Sequence, residues 1–126
     1  MTRVLLIGIA PDAVDISDPD LPSGITHEAI AKGIETTIAD MQARGWHADF
    51  CSIRPDATAE TTIAASLANA YDCIVIGGGI RIPAKGLLLF ERVINAVGNG
   101  APGTPIAFNT SLENSADAAA RWVNRK

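Results

Sequence analysis

No stretch of the sequence is apolar over the ~20 residues that a membrane-spanning helix needs, so we expect no membrane partner. The apolar residues 3–10 are too few for the hydrophobic region of a secretory signal peptide, and they lead directly into the predicted fold. The expected location of the protein is therefore the cytoplasm.

Cysteine and histidine are both scarce, with two residues of each kind. Cys51 and Cys73 lie in apolar stretches and belong to no CxxC pattern, so we expect buried thiols and neither a disulfide nor a zinc site. His27 is the histidine suited to proton transfer at neutral pH, but a surface position without a catalytic role is the simpler interpretation. The sequence also lacks the GxSxG motif of common hydrolases, and no motif in it identifies a cofactor or a reaction.

A concentrated basic surface is missing as well. The formal net charge is −4, which argues against a nucleic-acid partner because binding to phosphates needs clustered lysine and arginine. The one basic cluster consists of Arg121, Arg125 and Lys126 near the C-terminus. We interpret this cluster as a complement to the dipole of a final helix.

Apolar residues, in contrast, are plentiful. They make up 48% of the chain, and charged residues make up 19%, which is the balance of a folded globular protein. A chain of 126 residues has room for one hydrophobic core and not for two. We therefore predict a single domain over residues 1–126.

Four short apolar stretches alternate with helical patterns. The predicted strands are residues 3–10, His47–Ile53, the run that ends before Gly77, and residues 105–109. Uninterrupted Ile and Val in these stretches favour strands that are buried on both faces of a parallel sheet.

A helical pattern follows each predicted strand. We predict that Thr26, Thr58 and Ser115 cap three of these helices, and that the remaining helix begins beyond Pro83 and ends near Gly98. Four consecutive βα units predict a three-layer α/β/α fold with a four-stranded parallel sheet of order 2-1-3-4.

This architecture resembles the flavodoxin-like (Rossmann-like) superfold over nearly the whole chain. A response-regulator receiver would need an aspartate at the end of the third strand, where this chain has Gly77. A phosphotransferase-system IIB domain would need a cysteine just after the first strand, where Ala10 and Pro11 stand. Flavodoxins carry a hydroxyl- and glycine-rich phosphate loop at that point, which the acidic residues 11–15 replace. The resemblance therefore implies the fold and none of these three activities.

The glycine run at the end of the third predicted strand is the first candidate site. Ligands of such sheets bind at the carboxyl ends of the strands, where the strand order reverses. The backbone N–H groups of Gly77, Gly78 and Gly79 could hold an anion together with the Arg81 guanidinium, and Lys85 could add charge. The alternative is that the glycines only make a turn and that both cations are solvated.

Residues 11–25 form a predicted loop that is too long for an ordinary strand–helix connection. The loop contains Asp12, Asp15, Asp18 and Asp20, whose spacing is not that of an EF-hand. We expect the loop to act as a lid, and we expect no metal site.

Polar residues after the fourth predicted strand should reach the same edge of the sheet. Asn109 and Ser111 could donate or accept hydrogen bonds there. The expected ligand is a small anion. The predicted ligand-binding residues are Asp12, Gly77, Gly78, Gly79, Arg81, Asn109 and Ser111.

The helical pattern beyond Pro83 suggests a protein partner. Its residues 87–90 are apolar around more of the helix than one core-facing stripe requires. Leu88 shares a face with Glu91 and Arg92, so it should be exposed in a monomer. Pro105 also suits an edge strand. We therefore expect a homodimer, and a non-catalytic interaction domain is the alternative to a ligand-binding one.

Overall fold

A computed structural model describes residues 1–123 of the chain. Its four strands form one parallel sheet in the order β2-β1-β3-β4, which confirms the predicted order and the predicted α/β class. The strands are β1 (Arg3–Ile9), β2 (His47–Ile53), β3 (Cys73–Ile76) and β4 (Ile106–Phe108).

Burial follows the position of each strand in the sheet. Residues 4–7 of β1 and all of β3 are buried, because these two central strands are covered on both faces. β2 and β4 lie at the edges and are buried only in part. Pro105 directly precedes the edge strand β4, and its carbonyl accepts a hydrogen bond from the Ile74 amide. The expectation of an edge position for this strand is confirmed.

Helices cover both faces of the sheet. The helices are α1 (His27–Ala43), α2 (Ala59–Ser66), the one-turn α3 (Gly78–Arg81), α4 (Leu87–Gly100) and α5 (Ser115–Val123). α1 and α5 pack on the face that carries Leu6 and Val75. α2 and α4 pack on the opposite face, which carries Leu5 and Ile74. The result is the predicted three-layer arrangement.

The predicted cap is confirmed at Thr26, confirmed at Thr58 in position but without a capping hydrogen bond to its side chain, and wrong at Ser115. Thr26 Oγ1 accepts a hydrogen bond from the Ala29 amide, as expected of an N-cap. The Thr58 hydroxyl instead donates to Asp56, whose carboxylate also accepts the Thr58 amide. Ser115 is buried inside the first turn of α5, because the chain enters this helix through an earlier 3-10 turn capped by Ser111.

The end of α4 also differs from the prediction. Gly98 lies inside the helix, which continues to Gly100. A Cβ at Gly100 would stand 2.7 Å from Leu67 Cδ1, so this glycine permits α4 to pack closely against the end of α2.

Two sequence expectations concern the C-terminus and the membrane. Arg125 and Lys126, which belong to the predicted basic cluster, lie outside the described residues. Within residues 1–123, no helix has the length and apolar character needed to cross a bilayer.

At Gly77 the backbone that follows β3 lies close to the backbone of β1. The Gly77 amide donates to the Ile7 carbonyl at 2.8 Å, and a Cβ at Gly77 would stand 3.1 Å from the same oxygen. None of the three consecutive glycines has a positive φ. Gly77 is therefore required for close approach and not for a left-handed turn.

We expect Gly77→Ala to lower the free energy of unfolding by about 1–3 kcal/mol, because backbone must shift to admit the methyl group. Gly79→Ala is the matched control, since a Cβ there meets no heavy atom within 4 Å. Its unfolding free energy should stay level or rise by up to about 1 kcal/mol, because alanine is the better helix former. Urea denaturation measures both, and equal stability of the two variants would contradict the assignment.

Candidate functional site

A large cleft opens at the carboxyl edge of the sheet, on the face covered by α1, and we call it the α1 cleft. Its volume is about 1220 Å³. Strands, α1, the loop before α1, the glycine run and the turn after β4 all contribute to its walls. The main lining residues are Leu6, Gly8, Phe50, Ala29, Ile30, Gly33, Ile34, Val14, Leu21, Pro22, Ile25, Gly77, Gly78, Gly79, Ile82, Ser111 and Leu112.

The α1 cleft has a predominantly apolar lining. Its charged residues are Asp20, Lys32, Asp40 and Glu113, so acids outnumber bases among them. Ligand pockets are usually ~300–1,000 Å³ and mainly apolar with a few polar groups. The cleft has this chemical character, and its volume is sufficient for a small organic molecule.

The backbone of the glycine run contributes N–H groups to the predominantly apolar cleft. Gly78 and Gly79 open the one-turn helix α3, so their N–H groups have no acceptor within that turn. Both residues line the cleft, and no heavy atom lies within 4 Å of the place where a Gly79 side chain would begin. The absence of side chains therefore leaves main-chain donors accessible from the cleft.

Arg81 and Asn109 organise the end of β4 beside the cleft. Arg81 Nη2 donates to the Asn109 carbonyl at 2.8 Å, and the guanidinium lies over the Phe108 ring at 5.9 Å. The Asn109 side chain is buried, and its Nδ2 donates to Ser115 Oγ at 2.8 Å. The Ser115 hydroxyl in turn donates to the Leu112 carbonyl, which fixes the orientation of the Asn109 amide. Arg81 Nη2 is thus directed at a protein group, whereas Arg81 Nε and Asn109 Oδ1 are buried without a hydrogen-bond partner among residues 1–123.

The acidic residues of the loop are also paired within the protein. Asp12 accepts two hydrogen bonds from Arg54, at 3.0 and 3.2 Å. Asp15 forms an ion pair with Lys85, and the Lys85 ammonium together with Ser17 lowers the pKa of the Asp15 carboxyl to about 2. Within residues 1–123, no group of three or more His, Cys, Asp or Glu side chains is arranged to hold a metal ion.

The cleft therefore brings together only part of the predicted site. Its lining includes the three glycines 77–79 and Ser111, whereas Asp12, Arg81 and Asn109 are not among its lining residues. Sequence reasoning missed the apolar wall that the loop supplies through Val14 and Leu21. The signal was present, because these residues are apolar in a loop otherwise rich in aspartate.

The histidines and cysteines are not among the residues that line the cleft. His27 Nε2 lies 3.0 Å from the Val14 carbonyl and ties α1 to the preceding loop. His47 contacts Asp49 at the opposite end of the sheet. Both cysteines are buried, and burial raises the pKa of Cys73 to about 11, so its reactive thiolate is disfavoured.

The sequence matches no protein-family model, and neither a curated protein nor a solved structure is significantly similar to it. The function proposed for this chain therefore rests on the geometry and chemistry of the α1 cleft.

We expect the Asp15 carboxyl to titrate at about 2 in the wild-type protein. Lys85→Met should raise this pKa toward the ordinary value of 3.8, because the largest cause of the lowering is the hydrogen bond from Lys85. A depressed carboxyl pKa stabilises the fold above the unfolded-state pKa, and this contribution is lost as the pH falls toward 2. Carbon-detected NMR titration of side-chain carboxyls measures the effect.

Asp12 is the internal control in this titration, because its carboxyl pKa is lowered by Arg54 instead. It should titrate identically in wild type and variant. An Asp15 pKa that stays at about 2 in Lys85→Met would contradict the assigned ion pair.

Proposed function

We propose that the protein binds a small, mainly apolar molecule that carries one anionic or hydrogen-bond-accepting group. The observation that carries this proposal is the α1 cleft, with its apolar walls and its volume of about 1220 Å³. A flavodoxin-like relationship is part of the same proposal, because ligands of such folds bind at this edge of the sheet. The proposal also includes the cytoplasmic location expected from the sequence.

The apolar body of the ligand would lie against side chains of the sheet and of α1. Leu6, Ile30 and Phe50 line this part of the cleft. Removing apolar surface from water stabilises a complex by about 25 cal/mol per Å², so these contacts would supply most of the affinity.

The polar group of the ligand would lie against the glycine run. The amides of Gly78 and Gly79 are donors, and the Ser111 hydroxyl can donate as well, since it serves only as an acceptor in its capping interaction. Neither Arg81 nor Lys85 is among the residues that line the cleft, so the site offers less positive charge than a phosphate would require. A single carboxylate fits this donor set better than a phosphate group does.

The proposal is limited to binding. His27, the sequence candidate for acid–base chemistry, is not among the residues that line the cleft. The four charged residues that do line it face a predominantly apolar space without forming a nucleophile–base pair.

We expect the wild-type protein to bind the neutral dye Nile red saturably, with an increase in its fluorescence. Decanoate should displace the dye more effectively than decanol, because the carboxylate accepts from the glycine amides. Decylamine should displace the dye less effectively than decanoate, since its ammonium group cannot accept these hydrogen bonds. Fluorescence titration measures all three, and the absence of saturable dye binding would refute the proposed function.

A glycine substitution tests the position of the ligand. Gly79→Leu places a side chain where the cleft is empty, so we expect the dissociation constant for Nile red to rise about tenfold or more, which corresponds to about 1.4 kcal/mol. Gly98→Leu is the matched control, because Gly98 lies in α4 and likewise has no heavy atom within 4 Å of an added Cβ. Equal affinity of both variants would place the dye elsewhere.

A homodimer is the second candidate function, and exposed leucines favour it. Leu87 is 61% exposed and Leu88 is 67% exposed at the start of α4, and Ile82 just before them is 38% exposed. The exposure of Leu88 confirms the prediction from the sequence. A second copy that covers these side chains would remove apolar surface from water.

We expect light scattering at micromolar concentration to give twice the mass of one chain. Leu88→Glu should shift the protein to monomer, because it places a charge in the proposed interface. Ala39→Glu is the control: Ala39 is exposed on α1, which covers the opposite face of the sheet, and its variant should remain dimeric. A wild-type monomer would exclude the homodimer.

A further inference from the structure

The loop before α1 forms a separate wall of the α1 cleft. Val14, Leu21, Pro22 and Ile25 from this loop line the cleft. The loop is internally ordered, because the Asp15 carboxylate accepts the Ser17 amide at 3.0 Å and the Asp18 carboxylate accepts the Asp20 amide at 2.8 Å. Residues 15–21 therefore form consecutive hydrogen-bonded turns within the unit of residues 14–25.

Three contacts join this unit to the segment between α3 and α4. Asp15 forms an ion pair with Lys85, and Asp18 Oδ2 lies 3.5 Å from the same ammonium group. Asp20 Oδ2 accepts a hydrogen bond of 2.9 Å from the Ala84 amide. In the segment between α3 and α4, all three contacts are made by two consecutive residues, Ala84 and Lys85. A displacement of this short segment would therefore break them together.

The strength of these contacts is uneven. The Lys85 side chain is 62% exposed, and an exposed ion pair is weak, so solvent can replace its partners. The Asp18 side chain is only 3% exposed, and a buried carboxylate is costly without a cation beside it. Loss of Lys85 would therefore disfavour the observed position of Asp18 in particular.

Lys85 does not hold the ends of the unit: the first end has a contact of its own, and the second end contains a glycine. At the first end, the Val14 carbonyl contacts His27 Nε2. At the other end, Gly24 has a φ of +78° and an open surrounding, just before the N-cap Thr26. A glycine in this conformation can absorb a change of backbone angles, as hinge positions do.

We propose that residues 14–25 are a lid over the α1 cleft and that Lys85 is its latch. The proposal rests on the proposed function, since it assigns the way by which a ligand enters the proposed site. Lys85 is a positioning residue in this scheme, because it is not among the residues that line the α1 cleft. Ligand enters and leaves when the contacts of Lys85 and Ala84 with the loop are broken.

The kinetics of Nile red binding test the latch. If exchange passes through a rare open state, both rate constants are proportional to the population of that state. Lys85→Met should therefore raise the association and dissociation rate constants by about twofold to fivefold each, as expected for the loss of an exposed ion pair, with the dissociation constant changed by less than about twofold. Stopped-flow fluorescence measures both. A weaker affinity with an unchanged association rate would overturn the lid.

Arg92→Met is the matched control for the loss of a surface ion pair. Arg92 pairs with Glu60 between α4 and α2, away from the loop. This variant should bind and release the dye at the wild-type rates. Acceleration in Arg92→Met equal to that in Lys85→Met would also overturn the proposal.

Hydrogen exchange separates the lid from the proposed function. The Ala84 amide donates a hydrogen bond to Asp20, so its exchange should be about twofold to fivefold faster in Lys85→Met than in Arg92→Met. If wild-type protein binds no dye, the proposed function fails, and this comparison still decides whether Lys85 holds the loop. Equal exchange in the two variants would refute the latch.

Discussion

The close approach of β1 and β3 is the constraint on which the carboxyl edge of the sheet depends. The Gly77 amide donates a hydrogen bond to the Ile7 carbonyl, and a Cβ at Gly77 would lie too close to the same carbonyl oxygen. This contact ends the pairing of the two buried strands and starts α3 immediately afterwards. It therefore fixes the position of the glycine backbone that lines the cleft, relative to the end of β1 from which the loop continues.

The second determinant of the site is the internal pairing of its charges. Arg81 is bound to the Asn109 carbonyl, Asp12 to Arg54, and Lys85 to the loop carboxylates. Ionic groups near the sheet edge thus organise loops, whereas the walls of the cleft are left mainly apolar. A protein can in this way have many charges around a site and still favour an apolar ligand.

The strands could be predicted from the sequence because hydrophobic patterning is local, and their order followed from the parallel, right-handed connections that consecutive βα units adopt. Thr26 was predictable for the same reason, since an N-cap contacts an amide three residues away. The partners of Asp12 and Arg81 were not predictable, because they lie 42 and 28 residues away along the chain. Ser115 was misassigned because one additional 3-10 turn moved the cap to Ser111.

The lid and the ligand would stabilise each other in this arrangement. Exposed ion pairs such as Lys85–Asp15 are weak, whereas full burial of one large apolar side chain contributes about 1.5–3 kcal/mol. Leu21 and Ile25 of the loop are only partly buried beside an open cleft. A ligand that covers them would hold the loop more strongly than Lys85 does. Since coupling between two events is reciprocal, closure of the loop would strengthen ligand binding by the same free energy.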